Sequence, residues 1–309
     1  MEKAVVIANP AASQFTGGSH RDVMAILNKK FDVSAIWPAS GAEASEASAH
    51  SVEDGASLVV AMGGDGMVHH VAQGLINTAV PLGVIPVGTT NVVSRLLHLP
   101  SNPTKAARLL TAPSPPVMTG TAELVLHRGA TVSTHHSLFA CGLGLDADVV
   151  IRADQDPYKK YRFGSIHYAS TAFGVAFRSF PKRRPHVAIT SEDRSSFVSA
   201  AVFQFRDVYT YFGRLPLTLS AAKPDPMTAL LIERLRRRRV PSIAARVIAR
   251  RDLEAIPEIE IWEGVEKLEA EADPPVAVQA DGESLGMADR VTVTWVPNSL
   301  MLIRNQDSA

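Results

Sequence analysis

Apolar and polar residues come in alternating blocks through the first third of the chain. The apolar runs at 4–10 (AVVIANP), 32–38 (DVSAIWP), 57–62 (SLVVAM) and 81–87 (PLGVIPV) have the length and Val/Ile content of buried strands. Between and after them lie helical patterns. Residues 20–31 (HRDVMAILNKKF) place Val23, Ile26 and Leu27 on one face. Residues 41–55 are polar and Ala-rich, and 67–76 (MVHHVAQGLI) and 92–99 (VVSRLLHL) complete the series. This strand–helix alternation predicts a parallel sheet with helices on its faces.

The rhythm breaks at 111–120 (TAPSPPVMTG), a Pro-rich stretch that predicts a domain boundary. Beyond it, apolar runs such as AELVLHRGATVSTHHSLFACGLGL, PHVAITSEDRSSFVSAAVFQF, IPEIEIWEG and RVTVTWVP are separated by turn residues. They predict a mostly antiparallel sheet or sandwich. One helix is expected at 163–179. Within 227–251, MTALLIERL fits strand or helix equally, and IAARVIARR fits a short amphipathic helix.

Composition narrows the classes. With 46% hydrophobic and 20% charged residues and a formal net charge of +0, no global field draws the molecule to nucleic acid or membrane. Cys141 is the only cysteine, which excludes an internal disulfide and argues against a cysteine-based zinc site. No apolar run approaches the ~18 residues of a membrane span. The expectation is a cytoplasmic protein.

Chemistry gathers at the predicted strand ends. The third strand runs into Gly63-Gly64-Asp65-Gly66 and the fourth into Gly88-Thr89-Thr90-Asn91, each followed by a helix; the first ends in Asn9-Pro10. Open α/β sheets bind ligands at this carboxyl edge. Glycines let the backbone approach a ligand, and helix N-termini direct N–H groups and positive dipole ends at it, a setting suited to phosphate. One such turn is equally well explained as a tight loop; three together outline a nucleotide-sized site.

GGDGMVHHVAQGL followed by GVIPVGTTNVVSRLLHLP resembles the catalytic domain of the diacylglycerol kinase family, whose pattern is GGDGT-x-x-E-V-x-N-G-L and then P-x-GT-x-N-D. CGLGLDADVV at 141–150 and VQADGE at 278–283 match further family segments in the right order. The resemblance implies an α/β N-terminal domain with a parallel sheet, of the NAD kinase/diacylglycerol kinase type, over 1–118. A C-terminal strand at 299–306 would complete it. A mostly antiparallel β-sandwich over 119–298 would hold the lipid, with the cleft between the two. ATP and Mg2+ are the implied cofactors. Asn9, Pro10, Ser40, Gly63, Gly64, Asp65, Gly66, Met67, Gly88, Thr89, Thr90 and Asn91 match nucleotide-side positions. Asp65 would meet the metal through MgATP. Glu283 matches the proton acceptor, with Asp281 beside it.

The chain departs from the family pattern at several positions. Met67 stands for the usual Thr, His70 for Glu and Val92 for Asp, and in PDPMTALLI only Asp225 keeps a carboxylate near the structural magnesium site of some members. The alternatives are therefore a nucleotide- or lipid-binding protein without catalysis, and a NAD kinase-type enzyme, which also carries GGDG. The lipid identity and the oligomeric state, a dimer included, stay open.

One charge run adds a partner. ERLRRRRVPSIAARVIARR holds eight arginines against Glu233, with Val240, Ile243, Val247 and Ile248 as an apolar stripe. A basic amphipathic stretch suits an anionic membrane face, and a lipid substrate favours that over a merely solvated one. Arg246, Arg250 and Arg251 are the membrane candidates, which adds peripheral attachment to the inner membrane face to the cytoplasmic expectation. No aromatics interleave the arginines, so nucleic acid is not expected. The neighbouring pairs His69-His70 and His135-His136 point apart and do not form a chelate.

Overall fold

The computed structural model describes residues 1–112, 115–154, 184–192, 194–213, 215–219, 226–249 and 253–305. The helix expected at 163–179, together with Asp225, Arg250 and Arg251, lies outside the described residues. The chain forms two compact units, Met1–Thr121 with the stretch from Val296 onward, and Ala122–Trp295.

In the first unit, β1 (Glu2–Ala8), β2 (Phe31–Ile36), β3 (Leu58–Gly63) and β4 (Leu82–Pro86) pair in parallel in the order β4-β3-β1-β2. Ala4 lies opposite both Val33 and Leu58, and Val60 opposite Gly83. Strands β3 and β4 are buried along their whole length, which is why they read as unbroken apolar runs rather than alternating ones. One face is filled by Val23 and Leu27 of α1 (Gly17–Leu27) and by Ala106, Ala107 and Leu110. Helices α2 (Gly41–Glu53) and α3 (Asp65–Gln73) pack against each other at very close range. The Ser45 and Ser48 hydroxyls donate to the His70 and Val71 carbonyls at 2.8 and 2.7 Å, and a Cβ on Gly41 would meet the His70 ring at 2.2 Å.

Two boundaries differ from the sequence pattern for local reasons. Helix α1 starts three residues earlier than expected, because Thr16 and Ser19 form a reciprocal capping box that overrides the two glycines between them. Helix α4 (Val92–Leu96) stops early, and His98 just beyond it takes a left-handed φ of 54°. A further helix, α5 (Pro103–Thr111), went unpredicted although Asn102 caps it and Pro103 opens it.

The second unit is mostly antiparallel. Its strands are β5 (Val117–Arg128), β6 (Thr131–Ser137), β7 (Ala140–Leu143), β8 (Val187–Ser191), β9 (Arg194–Val198), β10 (Ala200–Gln204), β11 (Thr210–Phe212), β12 (Leu215–Leu217), β13 (Thr228–Ile232), β14 (Ile259–Trp262), β15 (Lys267–Ala280) and β16 (Glu283–Leu302). The main path runs β14-β13-β10-β7-β15-β16, with β8 joined to β15, β9 to β8, and a β5–β6 hairpin joined to β16. Phe203, Leu124, Leu126 and Leu143 anchor its core. Helix α6 (Leu145–Asp154) follows Gly144, whose φ of 73° turns the chain out of β7. The open stretch 227–251 resolves into strand β13, fully buried, and helix α7 (Val240–Ile248). Both β5 and β16 begin in one unit and end in the other. The far end of β16 lies beside β4, with Leu302 opposite Leu82 and the Ile303 N–H on the Leu82 carbonyl at 3.1 Å.

Candidate functional site

The carboxyl edge of the parallel sheet brings the three strand-end turns together. The chain leaves β1 at Asn9, whose N–H still donates to the Met62 carbonyl (3.0 Å) and whose Oδ1 accepts from the Ala11 N–H (2.9 Å). That Asx turn directs the loop across the sheet top. Gln14 N–H donates to the Val87 carbonyl (2.8 Å), and the Ser13 and Thr89 hydroxyls bond at 2.9 Å. The first and third turns are therefore tied to one another.

The glycines of the second and third turns are required by contact. A Cβ on Gly88 would stand 2.5 Å from the Gly64 Cα, so the two backbones touch where the turns meet. A Cβ on Gly63 would stand 2.4 Å from the Met67 Cβ, so Met67 itself lies over the start of the turn. Asn91 adopts a left-handed φ of 49°, which asparagine tolerates, and its amide brackets Gly88, accepting from its N–H at 3.0 Å and donating to its carbonyl at 2.8 Å. Asp65 is the first residue of α3, and its Oδ1 accepts from the Val93 N–H in the first turn of α4 at 3.1 Å. One carboxylate thus joins the GGDG and GTTN turns. Helix α3 opens on Gly64, and the first turn of a helix leaves N–H groups without intrahelical acceptors, as an anion site needs.

Ser40 follows the end of β2 and serves as a helix cap. It caps α2, its Oγ accepting from the Glu43 N–H at 3.2 Å, while Glu43 Oε2 accepts from the Ala39 N–H at 2.8 Å. Among the described residues no group of three or more His, Cys, Asp or Glu side chains could hold a metal ion. Asp65, one carboxylate beside two glycine turns, is a donor set that would fit magnesium carried by a nucleotide, which binds through one or two carboxylates plus phosphate oxygens.

In the second unit, Asp281 and Gly282 form the two-residue turn of the β15–β16 hairpin, with Ala280 opposite Glu283. Both turn residues have positive φ, 53° and 83°, which explains the Asp-Gly pair. Asp281 is only 4% exposed. Its carboxylate accepts from the Ser137 hydroxyl (2.8 Å) and from the N–H groups of Leu138 (2.8 Å) and Phe139 (3.0 Å). It is engaged with the β6–β7 connection, whereas Glu283 is half-buried at the start of β16.

A second buried carboxylate lies nearby. Asp146 accepts from the Tyr209 hydroxyl and the Gln279 amide. Burial pushes its pKa above the ordinary carboxylate range, and those two hydrogen bonds hold it back. Burial likewise pushes the Cys141 thiol up, reinforced by the charges of Asp281 and Asp146, so this cysteine is not a ready nucleophile. Burial pulls the Arg206 guanidinium down against the opposing charges of Asp281 and Asp207. Tyr209 and Gln279 carried no signal in the sequence; Asp146 stood in the glycine-rich run at 141–150 without a role.

The basic stretch forms the short helix expected of it, α7. Val240 is buried with Leu230, Ile232, Leu253 and Ile256, and Ile243 and Val247 pack partly buried against them, so these three are not a free apolar face. Arg236 and Arg239 pair with the nearly buried Glu258 at 3.2 and 3.5 Å. Arg246 is half-buried on α7. No helix among the described residues is long and apolar enough to cross a membrane.

Comparisons with known proteins bear on the family and the fold. Residues 3–121 match the diacylglycerol kinase catalytic domain, a stretch that contains the GGDG and GTTN turns. A diacylglycerol kinase of Mycobacterium tuberculosis is 32% identical over 107 residues, 34% of this chain and 35% of the relative. An uncharacterized Synechocystis protein is 31% identical over 155 residues, 50% of this chain and 33% of the relative. The chain thus spans about a third of the length of these curated relatives. A crystal structure of a diacylglycerol kinase from Bacillus anthracis superposes with a TM-score of 0.71 at 17% identity, over 100% of this chain and 98% of the other. A NAD kinase from Archaeoglobus fulgidus in complex with ATP gives 0.53 at 14% identity, over 99% and 95%. The fold is that of the diacylglycerol kinase and NAD kinase group.

Proposed function

We propose that the protein is an ATP-dependent lipid kinase that moves the γ-phosphoryl group of ATP to the hydroxyl of a lipid such as diacylglycerol or a sphingoid base. The observation that carries the reading is the contact of the GGDG and GTTN turns, Gly64 against Gly88, with Asp65 joining them at the sheet edge. The match of residues 3–121 to the diacylglycerol kinase catalytic domain supports it.

In this reading the two turns and the start of α3 cradle the phosphates with backbone N–H groups, while the Asn9 loop and Thr89 line the same edge. The lipid oxygen forms a bond to the γ-phosphorus as the bond to the β–γ bridging oxygen breaks, and ADP leaves. Glu283 takes the hydroxyl proton. Magnesium bound with ATP would supply charge neutralisation on the phosphate oxygens, with Asp65 as its protein partner. Catalysis of this kind rests on positioning and charge stabilisation.

Asp281 has a different duty from the one its neighbourhood to Glu283 suggests: it fixes the turn. Cytoplasmic location with contact at the inner membrane face is part of the proposal. Because the apolar stripe of α7 packs inward, the arginines would make that contact electrostatically.

The test is incubation with radiolabelled ATP and magnesium against extracted lipids and against NAD. Label in lipid supports the reading, label in NAD the NAD kinase alternative, and nucleotide binding without turnover the non-catalytic one.

A further inference from the structure

Gln279 is 2% exposed and has its amide fixed at both ends. The Gly282 N–H can only donate, and it reaches the Gln279 Oε1 at 2.8 Å. The amide oxygen must therefore face the turn, and the NH2 end must find an acceptor on its other side. Asp146 is that acceptor, with its second oxygen taken by the Tyr209 hydroxyl. If the amide were reversed, two donors would face each other at Gly282. Gly142 makes the arrangement possible: a Cβ there would stand 2.3 Å from Asp146 Oδ2. The line of contacts thus runs from Tyr209 through Asp146 and Gln279 to the residue preceding Glu283.

We propose that Asp146 is a positioning residue for Glu283, holding the NH2 end of the Gln279 amide and through it the Asp281–Gly282 turn. The catalytic part of this inference rests on the lipid-kinase reading; the structural part does not. What position 146 must supply is an acceptor, not a charge. An asparagine side chain can turn its oxygen to Gln279 and let the Tyr209 oxygen accept from its NH2 group, whereas leucine can do neither.

The experiment combines amide hydrogen exchange with kinetics on the full-length chain. Asp146→Leu should speed exchange over 279–286 about tenfold, the cost of a buried hydrogen bond left unmade, while β10 and β13 keep their protection. Asp146→Asn should exchange like the wild type. With sn-1,2-dioleoylglycerol in mixed micelles and MgATP, Asp146→Leu should lose about tenfold in kcat with KM for ATP unchanged, and Asp146→Asn should restore it. Unchanged exchange in Asp146→Leu overturns the proposal. So does loss of protection throughout the second unit, or an Asp146→Asn protein as impaired as the leucine variant. If Asp146→Leu does not fold, Gln279→Met removes the link from the other side, and unchanged exchange at 279–286 in that variant overturns the proposal equally. Should the wild type phosphorylate no dioleoylglycerol, the lipid-kinase reading loses that substrate, and the exchange data alone decide the role of Asp146.

Discussion

The sheet edge of the first unit and the 280–283 turn of the second are both tight turns built on glycine and aspartate, but they are held by different means. At the sheet edge the backbone does most of the work. Gly64 touches Gly88, Asn91 clasps Gly88, and a single carboxylate, Asp65, spans two turns. At 280–283 the backbone is an ordinary two-residue hairpin, and buried side chains secure it. Asp281 plugs the 137–140 connection, while Asp146 reaches Gly282 through Gln279. A surface of backbone N–H groups suits an anionic ligand of fixed shape. A turn secured by buried side chains holds in place the backbone that leads into Glu283.

The sharpest way to break this contrast is Glu283→Gln. A general base contributes about 10²–10⁴-fold in rate, so kcat should fall by that factor while nucleotide affinity, read by equilibrium titration with ATP, stays the same. Wild-type kcat in a folded variant would sink the assignment of Glu283.

Next comes Asp281→Asn. It exchanges a buried acceptor of several hydrogen bonds for a group with one acceptor oxygen, and hydrogen bonds to a charged group contribute about 1.5–3 kcal/mol. Urea unfolding should show a loss of that order. A stable variant with depressed kcat would instead return Asp281 to the chemistry.

Gly88→Ala should cost about 1–3 kcal/mol, the usual range for overpacking, and raise the KM for ATP as the two turns separate. Gly17→Ala is the control, since a Cβ there meets nothing within 4 Å. Equal behaviour of the two variants would remove the argument from backbone contact.

The smallest effect is expected from joint replacement of Arg246, Arg250 and Arg251 by Gln. Binding to phosphatidylserine-containing vesicles should weaken severalfold, and the difference should vanish in high salt because salt screens attraction to an anionic surface. Vesicle binding that persists unchanged would point to another membrane-facing surface.

The alternation of apolar runs and helical patterns in the first third was enough to specify a parallel sheet. Strands buried on both faces and amphipathic helices leave that signature in local order. The glycine turns were legible for the same reason, since each is a contiguous stretch, but what requires Gly63 and Gly88 is close contact with Met67 and Gly64, which no local pattern states. Helix α5 escaped because its cap, Asn102-Pro103, lay between a predicted helix and a predicted boundary, where either residue reads equally well as a loop. Only the tertiary structure decided which side chains meet across long separations. Asp146 lies far along the chain from Gln279, Ser13 from Thr89, and Glu258 from the arginines it neutralises; no periodicity encodes such pairs. The stripe on α7 makes the same point. Its amphipathic pattern was correct, but a pattern states that an apolar face will be covered, and only the packing against Leu230 and Ile232 states that the protein covers it itself.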